Sequence, residues 1–187
     1  MGRRGRNNLD NTSLFFVTTT VVNFSKIFVD GDCCKALLNN ILHYKKKYNY
    51  EILGYVIMPS HFHWIIKIDT GNGTISDIMR DIKKYSAWEI LDVLQKKKNE
   101  ELLNVFKESV TSYRPQKRKL WMARFDDEAI RDQKMFFTKL KYIHNNPVKA
   151  GLVERAEDYI YSSARNYIND DHSILSVNTD LGGIEMK

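Results

Sequence analysis

The stretch YVIMPSHFHWIIKI, residues 55–68, decides the fold. Two runs rich in β-branched and aromatic residues flank Pro59 and Ser60, and so short a break between two strand-like runs predicts a β-hairpin, with strands over residues 50–58 and 61–68. Alternate side chains of a strand share a face, so His61, His63 and Ile65 project one way while Phe62, Trp64, Ile66 and Ile68 project the other. Two imidazoles therefore stand side by side in an otherwise apolar strand. Either each is an ordinary satisfied histidine, or the pair is a ligand site, since neutral imidazole is a good donor to a divalent metal and a strand holds two of them rigidly.

Outward from the hairpin, residues 14–24 (LFFVTTTVVNF) read as a first strand. Residues 30–46 read as a helix, with Asp30 or Asp32 able to cap it and Leu37, Leu38, Ile41, Leu42 and Tyr44 at helical spacing. After a turn at residues 71–73, Thr74 or Ser76 opens a long helix with an apolar stripe from Ile75 to Leu94 that ends in the Lys96, Lys97, Lys98 run. Residues 99–119 give only a loop or a short helix around 101–107. A short strand is expected over 120–125, then a helix from about 132 to 146 ended by Pro147, because the residue before proline avoids helical geometry. The remainder reads as a short helical decoration and a tail. Strand, helix, hairpin, helix, strand is the order of an α+β, ferredoxin-like domain, an antiparallel sheet with helices on one face, here with an added C-terminal helix. The expected organisation is a basic N-terminal tail over 1–13, one domain over 14–167 and a C-terminal tail over 168–187.

Lysine and arginine number 29 against 23 acidic residues, a formal charge of +6, which points to a polyanion as partner and makes nucleic acid the first candidate. The basic residues gather at Arg3, Arg4 and Arg6, at Lys45 to Lys47, at Lys83 and Lys84, at Lys96 to Lys98, and through Arg114, Lys117, Arg118 and Lys119. Each cluster alone is what a solvated surface looks like; their number favours binding. Stacking candidates for unpaired bases are Tyr113, Trp121, Tyr159, Tyr161 and Tyr167. The only cysteines, Cys33 and Cys34, are neighbours, which offers neither a disulfide framework nor a spaced zinc motif and fits a reducing cytoplasm. No segment has the length of a membrane span or the make-up of a signal peptide, so a soluble cytoplasmic protein is expected. With oxygen donors left to complete the shell around the histidines, an open site for Mg²⁺ or Mn²⁺ suits phosphate chemistry better than a closed zinc site.

A second constellation is KLKYIHNNPVKAGLV, residues 139–153. On a helix Phe136, Leu140 and Ile143 form an apolar stripe, and Lys139, Tyr142 and Asn146 a neighbouring one, so Tyr142 and Asn146 lie one turn apart. Alone, Tyr142 would pass for an amphipathic boundary residue. Together, MPSHFHWII and YIHNNPVKAGLVERAEDYIYSSARNY resemble the single-tyrosine HUH transposases, and within them the REP-associated tyrosine transposases; the resemblance runs from about residue 14 to 167. It implies that His61 and His63 are metal ligands, that Tyr142 is the nucleophile, and that Asn146 supplies an amide to the metal. Lys139 is a candidate phosphate contact. The implied activity is metal-dependent cleavage and strand transfer on single-stranded DNA beside a hairpin, through a 5′-phosphotyrosine, with a homodimer possible and no small-molecule substrate. Two departures stand out: relatives often have asparagine where this chain has Ser60, and His144 has no assigned role. Rival readings are a catalytically silent protein that grips hairpin nucleic acid, and an RNA-binding ferredoxin-like module, although the histidines occupy ground where the latter would place stacking aromatics.

Overall fold

The computed structural model describes residues 12–110 and 117–180. Its centre is a four-stranded antiparallel sheet of β1 (Thr12–Thr20), β2 (Glu51–Met58), β3 (His61–Asp69) and β4 (Asp126–Ala129) in the order β2-β3-β1-β4. The helices are α1 (Gly31–Tyr48), α2 (Ile75–Lys96), α3 (Glu100–Glu108), α4 (Gln133–Lys149) and α5 (Ala164–Asn169). Strand order and the two helical crossovers are those of a ferredoxin-like α+β domain.

Pro59 and Ser60 form a two-residue turn, since Met58 pairs with His61. Their carbonyls are used: Phe28 N–H donates to Pro59 O and Val21 N–H to Ser60 O. In β1 the odd residues Phe15, Val17 and Thr19 are buried on one face, and α1 and α2 cover them together with Phe62, Trp64 and Ile66 of β3. Asp30 caps α1 by accepting from Asp32 N–H, and a reciprocal Thr74–Asp77 capping box starts α2. Asp81 of α2 clamps the pair, accepting from Tyr48 Oη at 2.7 Å and Lys47 Nζ at 2.8 Å of α1.

The opposite face holds a second core, in which Leu53, Val56, Met58 and Ile65 of the sheet meet Phe136, Leu140 and Ile143 of α4. Asp132 caps α4, accepting from Met135 N–H at 2.7 Å. Close approach is possible because β2 carries Gly54 at a bulge: a Cβ there would come within 2.7 Å of Leu140 Cδ1.

Several boundaries differ from expectation. The first strand stops at Thr20, because Val22–Phe24 close a 3₁₀ turn in which Asn23 and Phe24 take left-handed backbone angles. The last strand lies over Asp126–Ala129 instead of 120–125; Leu120 and Trp121 are buried anchors in the α1/α2 core, and only Trp121 pairs, in an isolated bridge with Val21. Pro147 does not end α4. It sits inside the last turn, and the helix closes on Gly151 (φ 66°), with Gly151 N–H donating to Val148 O and Leu152 N–H to Pro147 O. The stretch from 168, expected as a tail, is docked where it is described: Leu175 and Val177 are buried, and Asn178 N–H donates to Ile52 O. With Ser163 N–H on Tyr55 O and Ile57 N–H on Tyr161 O, this C-terminal segment covers the β2 edge of the sheet. No helix among the described residues is long and apolar enough to cross a membrane.

Candidate active site

Across the α4-facing side of the sheet the register aligns His63 of β3, Thr18 of β1 and Asp126 of β4 in one row, and Ile65, Phe16 and Glu128 in the next. His61 and His63 have ring centroids 4.8 Å apart, as the i, i+2 spacing requires. Tyr142 reaches them from α4, its ring 5.3 Å from that of His63. Thus two distant sequence stretches, one strand and one helix, bring the histidine pair and the tyrosine into contact.

The two ring nitrogens of His63 have different fates. Thr18 Oγ1 lies 2.7 Å from Nδ1, whereas Nε2 is buried with no hydrogen-bond partner among the described residues. Among the described residues it is the one such side-chain atom on the α4-facing side; Thr19 Oγ1 and Trp64 Nε1 face the other. An orphaned buried nitrogen is costly unless something fills its coordination, so the neutral tautomer with the proton on Nδ1 and a lone pair on Nε2 fits a cation. Burial, then the neighbouring His61, pushes His63 down to about 3, and burial lowers His61, which favours the neutral imidazole in both, the form a metal requires. His61 Nδ1 lies 3.3 Å from Ser60 Oγ, so the serine at this position can still hold the ring.

Phe16 organises the rest. Its ring stacks on His63 at 5.7 Å, meets Tyr142 edge-on at 5.9 Å, and lies under Lys139 Nζ at 4.8 Å. Lys139 is not a bare cation: its Nζ pairs with Glu128 Oε2 at 2.6 Å across the end of the sheet. Tyr142 remains 42% exposed, open to a substrate from solvent. Asn146, one turn on, donates its amide nitrogen to Tyr142 O at 3.4 Å, so its amide oxygen is the atom a cation could use. Among the described residues no three His, Cys, Asp or Glu side chains converge on a point, which leaves an amide, water or phosphate oxygen to complete a shell begun by two imidazoles.

His144 has a structural place. Its Nε2 is 2.9 Å from Ser163 Oγ, the same hydroxyl that accepts from Tyr55 N–H, and burial pushes it down to about 4. Thr18, Phe16 and Glu128 are neighbours of His63, Tyr142 and Lys139 that the sequence did not single out. Their only signal is register: β1 and β3 are not consecutive, so nothing short of the pairing places Thr18 opposite His63.

The basic residues separate. Lys83 is half-buried and donates to Met122 O at 2.8 Å; burial, then Lys119, brings it down to about 8. Lys84, Lys117, Arg118 and Lys119 line a groove beside α2, on the side of the sheet away from Tyr142. Arg114, Tyr113, Arg3, Arg4 and Arg6 lie outside the described residues. Of the other stacking candidates, Trp121 is buried with Nε1 donating to Ser86 Oγ, Tyr159 and Tyr167 donate to the Ile57 and Leu53 carbonyls, and Tyr161 packs against the core. These four aromatics hold the fold together.

A family model described as "Transposase IS200 like" matches residues 17–146. A REP-associated tyrosine transposase of Escherichia coli is 28% identical over 127 residues, which is 68% of this chain and 62% of the relative. A Haemophilus influenzae protein described in similar terms is 27% identical over 116 residues, covering 62% of this chain and 60% of the relative. The match thus spans about three fifths of the length of these relatives. A solved REP-associated tyrosine transposase, described as bound to a REP hairpin, superposes with a TM-score of 0.66 at 21% identity, covering 96% of this chain and 93% of that one, which establishes the likeness of fold.

Proposed function

Since the chain belongs to the IS200-like transposase family, we propose that it cuts and rejoins single-stranded DNA at hairpin-forming or palindromic repeats, with Tyr142 as nucleophile. The observation that carries this reading is the contact of Tyr142 with His63, whose buried Nε2 has no hydrogen-bond partner among the described residues. Tyr142 Oη attacks a phosphodiester; the new Oη–P bond forms as the P–O3′ bond breaks, the phenolic proton is released, and the departing O3′ takes up a proton. The exchange conserves the phosphodiester, so a strand end that returns with its 3′ hydroxyl can reverse it.

His61, His63 and the amide oxygen of Asn146 are the residues that would hold a divalent ion, Mg²⁺ or Mn²⁺ by the chemistry of the donor set. When bound, such an ion stabilises negative charge on the scissile phosphate as a Lewis acid. Thr18 fixes the His63 ring so that Nε2 points into the site, and Phe16 keeps the His63 and Tyr142 rings at their mutual distance. Lys139, paired with Glu128 and lying over the Phe16 ring, is the candidate phosphate contact, a phosphate oxygen replacing the carboxylate as its partner. The substrate class is drawn from the relatives, one of which is described as bound to a REP hairpin. On this reading the protein works in the cytoplasm, where its DNA substrate is, alone or as a homodimer.

The test incubates the full chain with labelled hairpin oligonucleotides carrying single-stranded flanks, in Mg²⁺, Mn²⁺ or chelator, and resolves the products on a denaturing gel. A covalent protein–DNA band that needs metal and disappears in Tyr142→Phe is expected. Tight hairpin binding with no adduct in any metal would replace the enzyme by a silent hairpin-binding protein.

A further inference from the structure

The groove beside α2 was not part of that chemistry. It runs between α2 and residues 117–125, encloses about 740 Å³, and lies on the α1/α2 side of the sheet, away from Tyr142. Its lining includes six basic residues, Arg80, Lys83, Lys84, Lys117, Arg118 and Lys119, and among the described residues no acidic one. Arg80 is paired with Asp77 and Asp81, and Lys83 serves as a wall by donating to Met122 O. Lys84, Lys117, Arg118 and Lys119 make no ion pair among the described residues, so the groove concentrates uncompensated positive charge in a concave surface.

Trp88 gives this charge a chemical direction. It is 59% exposed, the most exposed tryptophan of the chain, while Trp64 and Trp121 are buried. It stands in the same groove, one turn from Lys84, whose Nζ lies 5.1 Å from its ring, and its edge meets Tyr85 at 5.1 Å. An indole held beside cations in an open groove is the arrangement that binds a single nucleic-acid strand: every base has a face to stack, and every nucleotide a phosphate to neutralise. A base-paired stem offers phosphates but keeps its base faces stacked inside the duplex.

We propose that this groove is a single-stranded DNA site distinct from the tyrosine centre, in which Trp88 stacks an unpaired base while Lys84, Lys117, Arg118 and Lys119 hold the adjoining phosphates. It rests on the reading of the chain as a protein that acts on DNA, and adds to it a place where unpaired nucleotides remote from the scissile phosphate are held. A strand anchored here on one side of the sheet and cut on the other would have to pass around an edge of the domain, which ties the chemistry to DNA with single-stranded flanks.

The experiment uses the full chain in chelator, so that no cleavage is required and failure of the groove is separable from failure of the tyrosine chemistry. Tryptophan emission is followed during titration with oligo(dT), and affinity is read independently by anisotropy of labelled oligo(dT). Quenching in the native chain that is lost in Trp88→Phe is expected. Trp88→Ala should weaken affinity about tenfold, the scale of one stacked base, and Lys117→Ala/Arg118→Ala/Lys119→Ala should flatten the salt dependence of binding. Thermal melting confirms that each variant is folded, and Lys84→Gln provides a second, milder variant with a weaker loss. Quenching that persists in Trp88→Phe, or affinity unchanged in both Trp88→Ala and the triple variant, overturns the proposal. So does equal competition by a blunt duplex, or by poly-glutamate, since either would show that charge alone is recognised.

Discussion

At the scale of single residues the site turns on His63. One nitrogen meets Thr18 and the other has no hydrogen-bond partner among the described residues, and the register of β1 against β3 places Thr18 there. Thr18→Val keeps the shape and removes the hydroxyl, so Mn²⁺ affinity, measured calorimetrically on the protein without DNA, should fall by roughly 10- to 100-fold, the usual cost of losing the partner that orients a ligating histidine. Unchanged affinity would remove Thr18 from the site. Protonation gives a second prediction. Burial sets the folded-state values of His63 and His144 below the ordinary histidine value, at about 3 and about 4. Stability from this source is therefore complete above about pH 6.5 and is lost as pH falls from there towards the folded-state values. At pH 5 each histidine should cost about 2 kcal/mol. Urea titrations at pH 7 and pH 5 measure the combined loss, to which His61, also lowered by burial, adds, and His144→Gln should reduce the difference by about 2 kcal/mol; a protein equally stable at both pH values would contradict the burial argument.

At the scale of elements, what the sequence made legible and what it hid divide along physical lines. The hairpin, α1 and α2 were readable because each writes a strong apolar period into its own residues, and α2 adds the Thr74–Asp77 box at its start. The strand β4 was not: Asp126, Asp127, Glu128 and Ala129 carry no strand pattern, and hydrogen bonding to Phe15–Thr18 of β1 makes them one. Strand-like Leu120 and Trp121 are instead pulled into the core. The His–Tyr constellation was visible as two motifs, but Thr18, Phe16 and Glu128 depend on pairings between distant segments, which no local pattern encodes. Pro147 is tolerated inside α4 because a proline in the last turn loses little, and Gly151 supplies the termination. Replacing Gly151 by alanine should cost about 1 kcal/mol, since its φ is left-handed. Gly54→Val, which must displace Leu140, should cost about 1–3 kcal/mol and lower adduct formation by shifting α4. Denaturant midpoints of the two variants decide this, and a neutral Gly54→Val would mean that α4 is not set by contact with β2.

At the scale of the whole molecule the domain is a sheet with two unlike faces. One is closed by α1 and α2 and carries a basic groove on its outer side; the other presents the histidine pair under α4. The C-terminal segment is part of this body, closing the β2 edge and burying Leu175 and Val177. Leu175→Ala should therefore destabilise the whole protein by about 2–5 kcal/mol, as a core truncation does. A melting temperature indistinguishable from that of the native chain would show the segment to be an appendage. The central claim is that Tyr142 carries the cut strand. Its most direct test is to trap the reaction with a hairpin substrate in Mn²⁺, digest the protein and DNA, and locate the nucleotide-modified peptide by mass spectrometry. The account predicts a 5′-phosphate-linked nucleotide on Tyr142. A modification on any other residue, or DNA cut in the presence of metal with no covalent protein intermediate, would contradict it.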